Sequence, residues 1–487
     1  MPVYIKKLEK YKAAVPYITA IIVSIFTTFP VMAYNVIWDE AYSIDLVRGS
    51  IIRIIQESAI DVHPPLYYLI LKAFNLFGEE SLLRYQLVTA VGTYLNVFIL
   101  GATIIRKRWG CRVSFLYILW FGLSYSTLEY TTLVRMYSWG AFFVTAAALF
   151  LFLYYENNGK REFILGIVMT LAAMYTHYYA LVAVFFIWLI LLLAVVVKRE
   201  KRVGRIFLGG AAVTIGYLPW LRTLLSQSSR VAENYWIGLF DWHEWRMVPA
   251  ALMESDDPVV GVGTVLYVFL IVLLILAFVR KKWSAILCVA VFFSTMTVGA
   301  LFSVLLTPIW ATRYMYVAWG LIALFVAIAA GEVTTFFSNI VQGLLVFVLA
   351  VTALVSFNSM LNSEKMRSSA DEWVAFLEDN VDDNAYLIVD DPVGHNIVYK
   401  FYLPDANCIY TESLLMNDVR EGLNSFLQDG SGNQIWYVID YRQQKIGMNA
   451  MQGYLDELGY TIESVGAYTI QHKYLGVFKV EEKTYEK

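Results

Sequence analysis

WDEAYSIDLVRGSIIRIIQESAIDVHPPLYY, residues 38–68, is the stretch on which the reading of this chain turns. It opens on two adjacent carboxylates, Asp39 and Glu40, and runs on to Asp61, His63 and the pair Pro64–Pro65. An apolar run ending near Tyr34 precedes it, and a second apolar run begins immediately after the prolines. Acids, an imidazole and a rigid turn thus stand where a membrane span ends. Within it, 44–57 spaces apolar residues every three or four positions, which predicts a helix lying along a membrane interface. After the prolines, 63–78 is short for a full span and predicts a second interfacial or re-entrant helix. Two prolines without amide hydrogens and with fixed φ suit a helix start.

Composition sets the frame for that stretch. Of 487 residues, 59% are hydrophobic and only 16% charged, where a soluble domain averages about 25% charged. Mean hydropathy is +0.57. Apolar runs of about twenty residues recur, the length that spans a bilayer core as a helix. A net charge of −3 argues against a nucleic-acid partner. The 14 Trp and 34 Tyr suit membrane–water interfaces. No CxxC or GxxxxGK[ST] is present, which argues against a zinc ribbon and a P-loop motor.

The first segment carries Lys6, Lys7, Lys10 and Lys12 before its apolar run, with no small-residue cleavage site after it, and reads as an uncleaved first helix. Further spans are expected near 81–105, 113–128, 137–155, 162–176, 178–197, 206–224, 259–279, 284–306, 314–331 and 340–357, about eleven in all. With the N-terminus in the cytoplasm, the inner loops hold RKRWGCR (106–112), GKR (159–161), KREKRVGR (198–205) and RKK (280–282). The opposite loops hold few Lys or Arg and many acids: Asp39, Glu40, Asp45, Glu57, Asp61, Glu129, Glu233, Asp241, Glu244, Asp256 and Asp257. This is the positive-inside bias, and an odd number of spans puts the C-terminus outside. Cys111, Cys288 and Cys408 then fall in three different compartments, so no disulfide is expected.

After about 361 the composition becomes that of a soluble α/β unit. Strands are predicted at 385–391, 434–441 and 474–480, and helices at 370–380, 412–428 and 448–459. Their alternation predicts a small, mainly parallel sheet, with no catalytic motif. The expected organisation is a transmembrane domain, 1–360, with outer-face interfacial helices in 35–80, followed by an extracytoplasmic domain, 361–487.

Several outer turns carry groups suited to chemistry. Asp39 and Glu40 either cap a helix start, or one serves as a general base, since partial desolvation raises carboxylate basicity. LEYTTLVRMYSWG (128–140) brings Glu129, Arg135 and Tyr137. Arg135 can hold a phosphate in bidentate fashion or snorkel from a span end. YTHYYA (175–180) puts His177 at an outer turn, as a structural hydrogen-bonding group or a substrate contact. TPIWATRYMY (307–316) adds Arg313 with the same two readings as Arg135. The aromatic and acidic loop 225–257 could cover such a site.

These motifs resemble those of the GT-C glycosyltransferases, in the protein O-mannosyltransferase and aminoarabinose transferase branch (glycosyltransferase family 39-like), bacterial type. The marks are WDEAYS, DVHPPLYY, SLLRYQLVTAVGTYLN (81–96), EYTTLVRMYSWG and YTHYYA, and the likeness covers roughly 10–335. The resemblance implies a polyprenyl-phosphate-linked sugar as donor and a glycan, lipid or polymer hydroxyl as acceptor, at the outer face of the cell membrane. It implies Asp39 as catalytic base, Glu40, Asp61 and His63 shaping the pocket, and Arg135 and Arg313 on the donor phosphate. Arg84, Glu129, Tyr137 and His177 stand in the same motifs as candidate substrate contacts. No cofactor is implied, although the scattered acids leave room for a divalent metal. The chain has no large inserted outer-loop domain, unlike the protein O-mannosyltransferases, which disfavours a protein acceptor. A transporter or flippase of lipid-linked sugars is the alternative; against it, the ionisable groups cluster in outer loops and no inverted repeat is visible.

Overall fold

The computed structural model describes residues 3–32, 35–75, 80–233, 237–254, 260–331, 336–363, 366–382, 385–390, 396–402, 407–411, 434–440, 452–470 and 473–483. Packing divides the chain into two units. One holds Met1–Val31 and Leu46–Met360, the other Met32–Asp45 and Leu361–Lys487.

The first unit is helical. Its elements are α1 (Val3–Thr28), α2 (Trp38–Arg48, which straddles the two units), α3 (Ile51–Ile60), α4 (Leu66–Asn75), α5 (Leu82–Tyr94), α6 (Arg106–Gly122), α7 (Tyr125–Tyr130), α8 (Tyr137–Asn157), α9 (Lys160–Met174), α10 (Tyr178–Val197), α11 (Val203–Glu233), α12 (Trp242–Met253), α13 (Val260–Val279), α14 (Trp283–Leu305), α15 (Trp319–Gly331) and α16 (Phe336–Leu361). A π-helical stretch, Leu95–Ile105, joins α5 to α6, and a 3-10 helix, Thr312–Ala318, leads into α15.

Each of the eleven apolar segments is helical, but the number of spans differs from eleven. Among the described residues, seven helical stretches are long and apolar enough to cross a membrane. Two expected segments fuse into Leu82–Gly122, which kinks at Gly110 with φ of 88°, a conformation that favours glycine. α9 has only 15 residues, about 22 Å of helix. α11 has 31 residues but is interrupted by Pro219 and carries Arg222 and Gln227. The predicted interfacial helix over 44–57 is two helices, α2 and α3, separated at Gly49–Ser50. Ser50 caps the second by accepting the Arg53 amide at 3.1 Å.

The bundle is built around α15, every residue of which is buried, as its all-round hydrophobicity requires. Arg135 owes its position to the packing of α5 against α8. A Cβ on Gly92 would lie 2.6 Å from the Ser138 carbonyl carbon and the Trp139 nitrogen. That closeness lets the Ser138 hydroxyl donate to Thr89 O at 2.7 Å and the Trp139 indole to Val88 O at 3.1 Å. Tyr67 of α4 joins them through Thr89 Oγ1 at 2.7 Å. The start of α8, and Arg135 two residues before it, is thereby tied to α4 and α5.

The second unit holds α17 (Ala370–Asn380), α18 (Asn396–Tyr402) and five strands: β1 (Tyr386–Asp390), β2 (Asn407–Thr411), β3 (Ile435–Asp440), β4 (Tyr460–Ile470) and β5 (Lys473–Glu482). The order is β2-β1-β3-β5-β4. β1 pairs parallel with β2 and β3, whereas β5 pairs antiparallel with β3 and β4. The sheet is thus mixed rather than mainly parallel, because the C-terminal β4–β5 hairpin adds to the edge of a parallel core. The predicted strands at 385–391, 434–441 and 474–480 correspond to β1, β3 and β5. The helix predicted at 412–428 lies outside the described residues, and of the one at 448–459 only 452–457 is described and helical. Ile388, Tyr437, Ile439, Leu455 and Phe478 form a core on one face, and Phe376 of α17 packs on Trp436 and Tyr468.

Candidate functional site

The chemistry-bearing groups of the helical unit collect where loops meet. Pro65 leads into α4, and the Leu66 amide donates to Tyr175 O at 3.0 Å, joining the start of α4 to the end of α9. This brings the His63 and His177 rings to 5.6 Å between centroids. Tyr314, from the 3-10 helix, lies 5.1 Å from His177 and 6.4 Å from His63. Tyr137, in the first turn of α8, lies 5.9 Å from His177.

Arg135 comes from the irregular stretch between α7 and α8 and is 4% exposed. Its guanidinium donates to the Tyr68 hydroxyl at 3.3 Å and approaches His63 Nδ1 at 3.4 Å. The same His63 nitrogen lies 3.2 Å from Asp61 Oδ2. One ring nitrogen cannot donate to a carboxylate and accept from a guanidinium at once. The shorter Asp61 contact assigns a proton to Nδ1, which leaves Arg135 beside the ring rather than bonded to it. Burial pushes the Asp61 carboxyl upward, but the His63 hydrogen bond and the charges of His63 and Arg135 outweigh it and hold Asp61 below the ordinary carboxylate value. Gln227 of α11 holds the end of α3 in place, donating to Ser58 O at 2.8 Å and to Asp61 O.

His177 is the N-cap of α10. Its Nδ1 accepts the Tyr179 amide at 3.1 Å, so the neutral ring carries its proton on Nε2. That nitrogen is buried and has no hydrogen-bond partner among the described residues. Burial, with the charges of His63, Arg135 and Arg313 behind it, drives the His177 pKa well below the ordinary histidine value. The ring is therefore a fixed neutral donor among cations. Arg313 sits in the first turn of the 3-10 helix, its guanidinium 5.7 Å from the centre of the Tyr314 ring.

His63, His177 and Tyr314 line a cavity of about 620 Å³. Most of the remaining wall is apolar: Leu181 and Val182 from α10, Leu224 and Leu225 from α11, Val298 and Phe302 from α14. Leu225, Phe302 and Leu306 are also exposed on the outer surface, so the wall reaches the flank of the bundle. The arrangement sets His63 and a neutral N–H donor at the wall of an apolar space, with the buried Arg135 beside His63, a chemistry suited to an amphiphilic anion.

The other sequence candidates fall elsewhere. Arg84 is in the first turn of α5 and lines a separate cavity of about 290 Å³. Glu129 is half-buried on α7. Asp39 and Glu40 occupy the first turn of α2 and belong to the second unit. Glu40 is fully buried, and its Oε2 accepts the Ile37 amide at 3.2 Å, the reach-back bond of a helix N-cap. Asp39 is half-buried. Tyr68, Gln227 and Tyr314 are not legible as site residues in the sequence. Tyr68 and Tyr314 do lie inside the motifs DVHPPLYY and TPIWATRYMY, whereas Gln227 has no signal beyond being polar in an aromatic loop. Among the described residues no three His, Cys, Asp or Glu side chains stand close enough to share a metal ion.

No protein-family model matches the chain, and no curated protein matches it significantly by sequence. Solved structures do match. ArnT from Cupriavidus metallidurans in the apo state aligns with a TM-score of 0.61 at 12% identity, covering 95% of this chain and 97% of that one. The same protein bound to undecaprenyl phosphate aligns with a TM-score of 0.61 at 11% identity over the same shares. The chain is a polytopic helical membrane protein that shares the fold of ArnT and carries a small C-terminal sheet domain.

Proposed function

We propose that this protein is a membrane glycosyltransferase that takes a sugar from a polyprenyl-phosphate donor and delivers it to an acceptor hydroxyl at the outer face of the cell membrane. The observation that carries the reading is the joint one in the helical unit: the buried cluster of Arg135, His63 and neutral His177 at an apolar cavity reaching the bundle flank. An isoprenoid chain suits the apolar wall, and a phosphate suits the cations and the orphan Nε2–H. Arg313, Tyr137 and Tyr68 complete the phosphate surroundings. That one structural neighbour was solved with undecaprenyl phosphate supports a lipid of this class. The N-terminus is assigned to the cytoplasm and the second unit to the outside, from the charge bias of the loops.

In the proposed reaction the acceptor oxygen bonds the anomeric carbon as the bond from that carbon to the phosphate oxygen breaks. The bonding electrons leave with the lipid phosphate, whose growing charge the cations stabilise. The acceptor proton passes to a carboxylate, for which Asp39 is the candidate by its place in the motif WDEAYS. A single displacement inverts the anomeric centre. Glu129 and Arg84 remain candidate substrate contacts.

The test is incubation of the purified protein with undecaprenyl phosphate carrying different hexoses and pentoses, together with detergent and cell-envelope glycan acceptors. Mass spectrometry follows the loss of sugar from each lipid. One donor should yield free undecaprenyl phosphate and a glycosylated acceptor, and Asp39→Asn should abolish the yield while undecaprenyl phosphate still binds. Bound lipid with no sugar transferred from any donor would refute the transferase reading.

A further inference from the structure

We propose that the C-terminal unit is a working part of the transferase: Tyr402 acts as a positioning residue, clasping the backbone that presents Asp39. The inference rests on the reading of Asp39 as general base. Its observations all lie within the second unit.

Residues Met32–Asp45 pack with the C-terminal domain rather than with the helices that precede and follow them. The attachment is specific. Tyr402, the last residue of α18, accepts the Val36 amide at 2.7 Å and donates its proton to Asn35 Oδ1 at 3.3 Å. Asn35 and Val36 are fully buried. Trp373 of α17 stands edge-on to the Tyr402 ring, 6.0 Å away at 84°, and limits its rotation. The next amide, Ile37, goes to Glu40 Oε2 at 3.2 Å. Two successive amides just before α2 are therefore fixed, one by the C-terminal domain and one by the helix itself. Asp39 follows two residues later.

A phenylalanine would bury the same ring. A buried hydroxyl is tolerated only where both its donor and acceptor capacities are met, and here both are met by Asn35 and Val36. The hydroxyl therefore bonds the segment, through Val36 and Asn35. Val36 lies just before the N-cap, Ile37, so the Tyr402 bond holds the chain at the point where it enters α2. The Tyr402 bond sets how far the chain has turned when α2 begins, and so the direction of the Asp39 side chain. General-base catalysis is steep in that geometry: a misplacement of about 1 Å can cost about 100-fold.

The test uses the full-length protein in nanodiscs, with undecaprenyl-phosphate hexose as donor and undecaprenyl phosphate as the binding probe. Tyr402→Phe should lower kcat by about tenfold or more, with the donor KM, the undecaprenyl phosphate affinity and the thermal midpoint nearly unchanged. Asn35→Ala probes the same bond from the other side, leaving the domain intact should Tyr402→Phe fold poorly. It should lower kcat similarly, and the double variant should be no slower than the worse single one. Additive losses, or a fall in lipid affinity in step with turnover, would assign Tyr402 a merely structural role and overturn the proposal. Asp39→Asn separates the two layers. If it turns over normally, the base assignment itself fails. If it is inactive while Tyr402→Phe and Asn35→Ala match the parent, only the clasp fails.

Discussion

His177 offers a stability prediction whose size comes from its surroundings. In the folded chain the ring stays neutral, because burial and the charges of His63, Arg135 and Arg313 resist a further proton. The unfolded chain has no such resistance and gains that proton below about pH 6.5. The unfolded state then binds more protons than the folded one, so stability falls as the pH drops below that value. Refusing the proton from pH 7.5 down to pH 5 costs the folded state up to about 2 kcal/mol, at about 1.4 kcal/mol per pH unit once titration is under way. Other groups also titrate there, so the comparison must isolate this one. His177→Asn does so. Asparagine is a strong N-cap whose Oδ1 can accept the Tyr179 amide, and it does not titrate. His63 is present in both proteins and cancels. Folding free energies from SDS-titrated unfolding in mixed micelles, at pH 7.5 and pH 5, provide the four numbers required. The parent should lose more than the variant over that interval, by up to about 2 kcal/mol, whatever the constant cost of the substitution. Equal losses in the two proteins would mean that His177 accepts a proton when folded, and the neutral-donor assignment would go with it.

Three other perturbations probe the same framework. Arg135→Ala should weaken undecaprenyl phosphate binding by at least about tenfold, the size of a lost charge-assisted hydrogen bond, with Arg135→Lys intermediate because it keeps charge but not the fork; equal affinity in a nanodisc binding assay would remove Arg135 from the phosphate site. Gly92→Ala forces a methyl against the α8 backbone, where no side chain can yield, and should destabilise the protein by about 1–3 kcal/mol; an unchanged thermal midpoint would show that α5 and α8 are not so close. Val298→Trp should narrow the cavity and weaken undecaprenyl phosphate binding with the fold intact by circular dichroism, whereas an unchanged affinity would argue against this wall as the lipid's seat.

The helices are legible because the bilayer imposes one strong rule, twenty or so apolar residues per crossing, and each of the eleven runs obeys it closely enough to be found. The exceptions to a full crossing are where that rule is silent. Gly110 joins two runs into one kinked stretch through a backbone angle that composition does not record. In the sheet, the buried strands β1 and β3 stand out as apolar runs, while β4 (YTIESVGAYTI) alternates polar and small residues and carries little strand signal. Its pairing with β5 is what makes the sheet mixed. At the site, His63, Arg135 and His177 can be named from motifs, since each polar group stands out beside a span. The cavity that His63 and His177 line cannot, because its wall comes from α10, α11 and α14, whose leucines and valines look like any other lipid-facing residues. The adjacent acids carry an ambiguity that sequence cannot resolve. Both could cap or both could act, and the Ile37–Glu40 bond shows a cap for Glu40 that the letters alone do not.

The same logic explains why an anion site would carry an acid of its own. Arg135 is almost fully buried, and a buried guanidinium without a counter-charge is costly by several kcal/mol. Asp61, anchored through Gln227 and bonded to His63, supplies negative charge near it at all pH values above its lowered pKa. The site can therefore fold before any lipid arrives. A protonated His177, added to the charges of His63, Arg135 and Arg313, would over-compensate the phosphate, holding product as firmly as donor and slowing its release. A neutral N–H at His177 avoids that, since it adds direction without adding charge. In the proposed reaction the leaving phosphate gains negative charge as the sugar departs, so an environment close to balance in the resting state binds most strongly at the moment of transfer rather than before it.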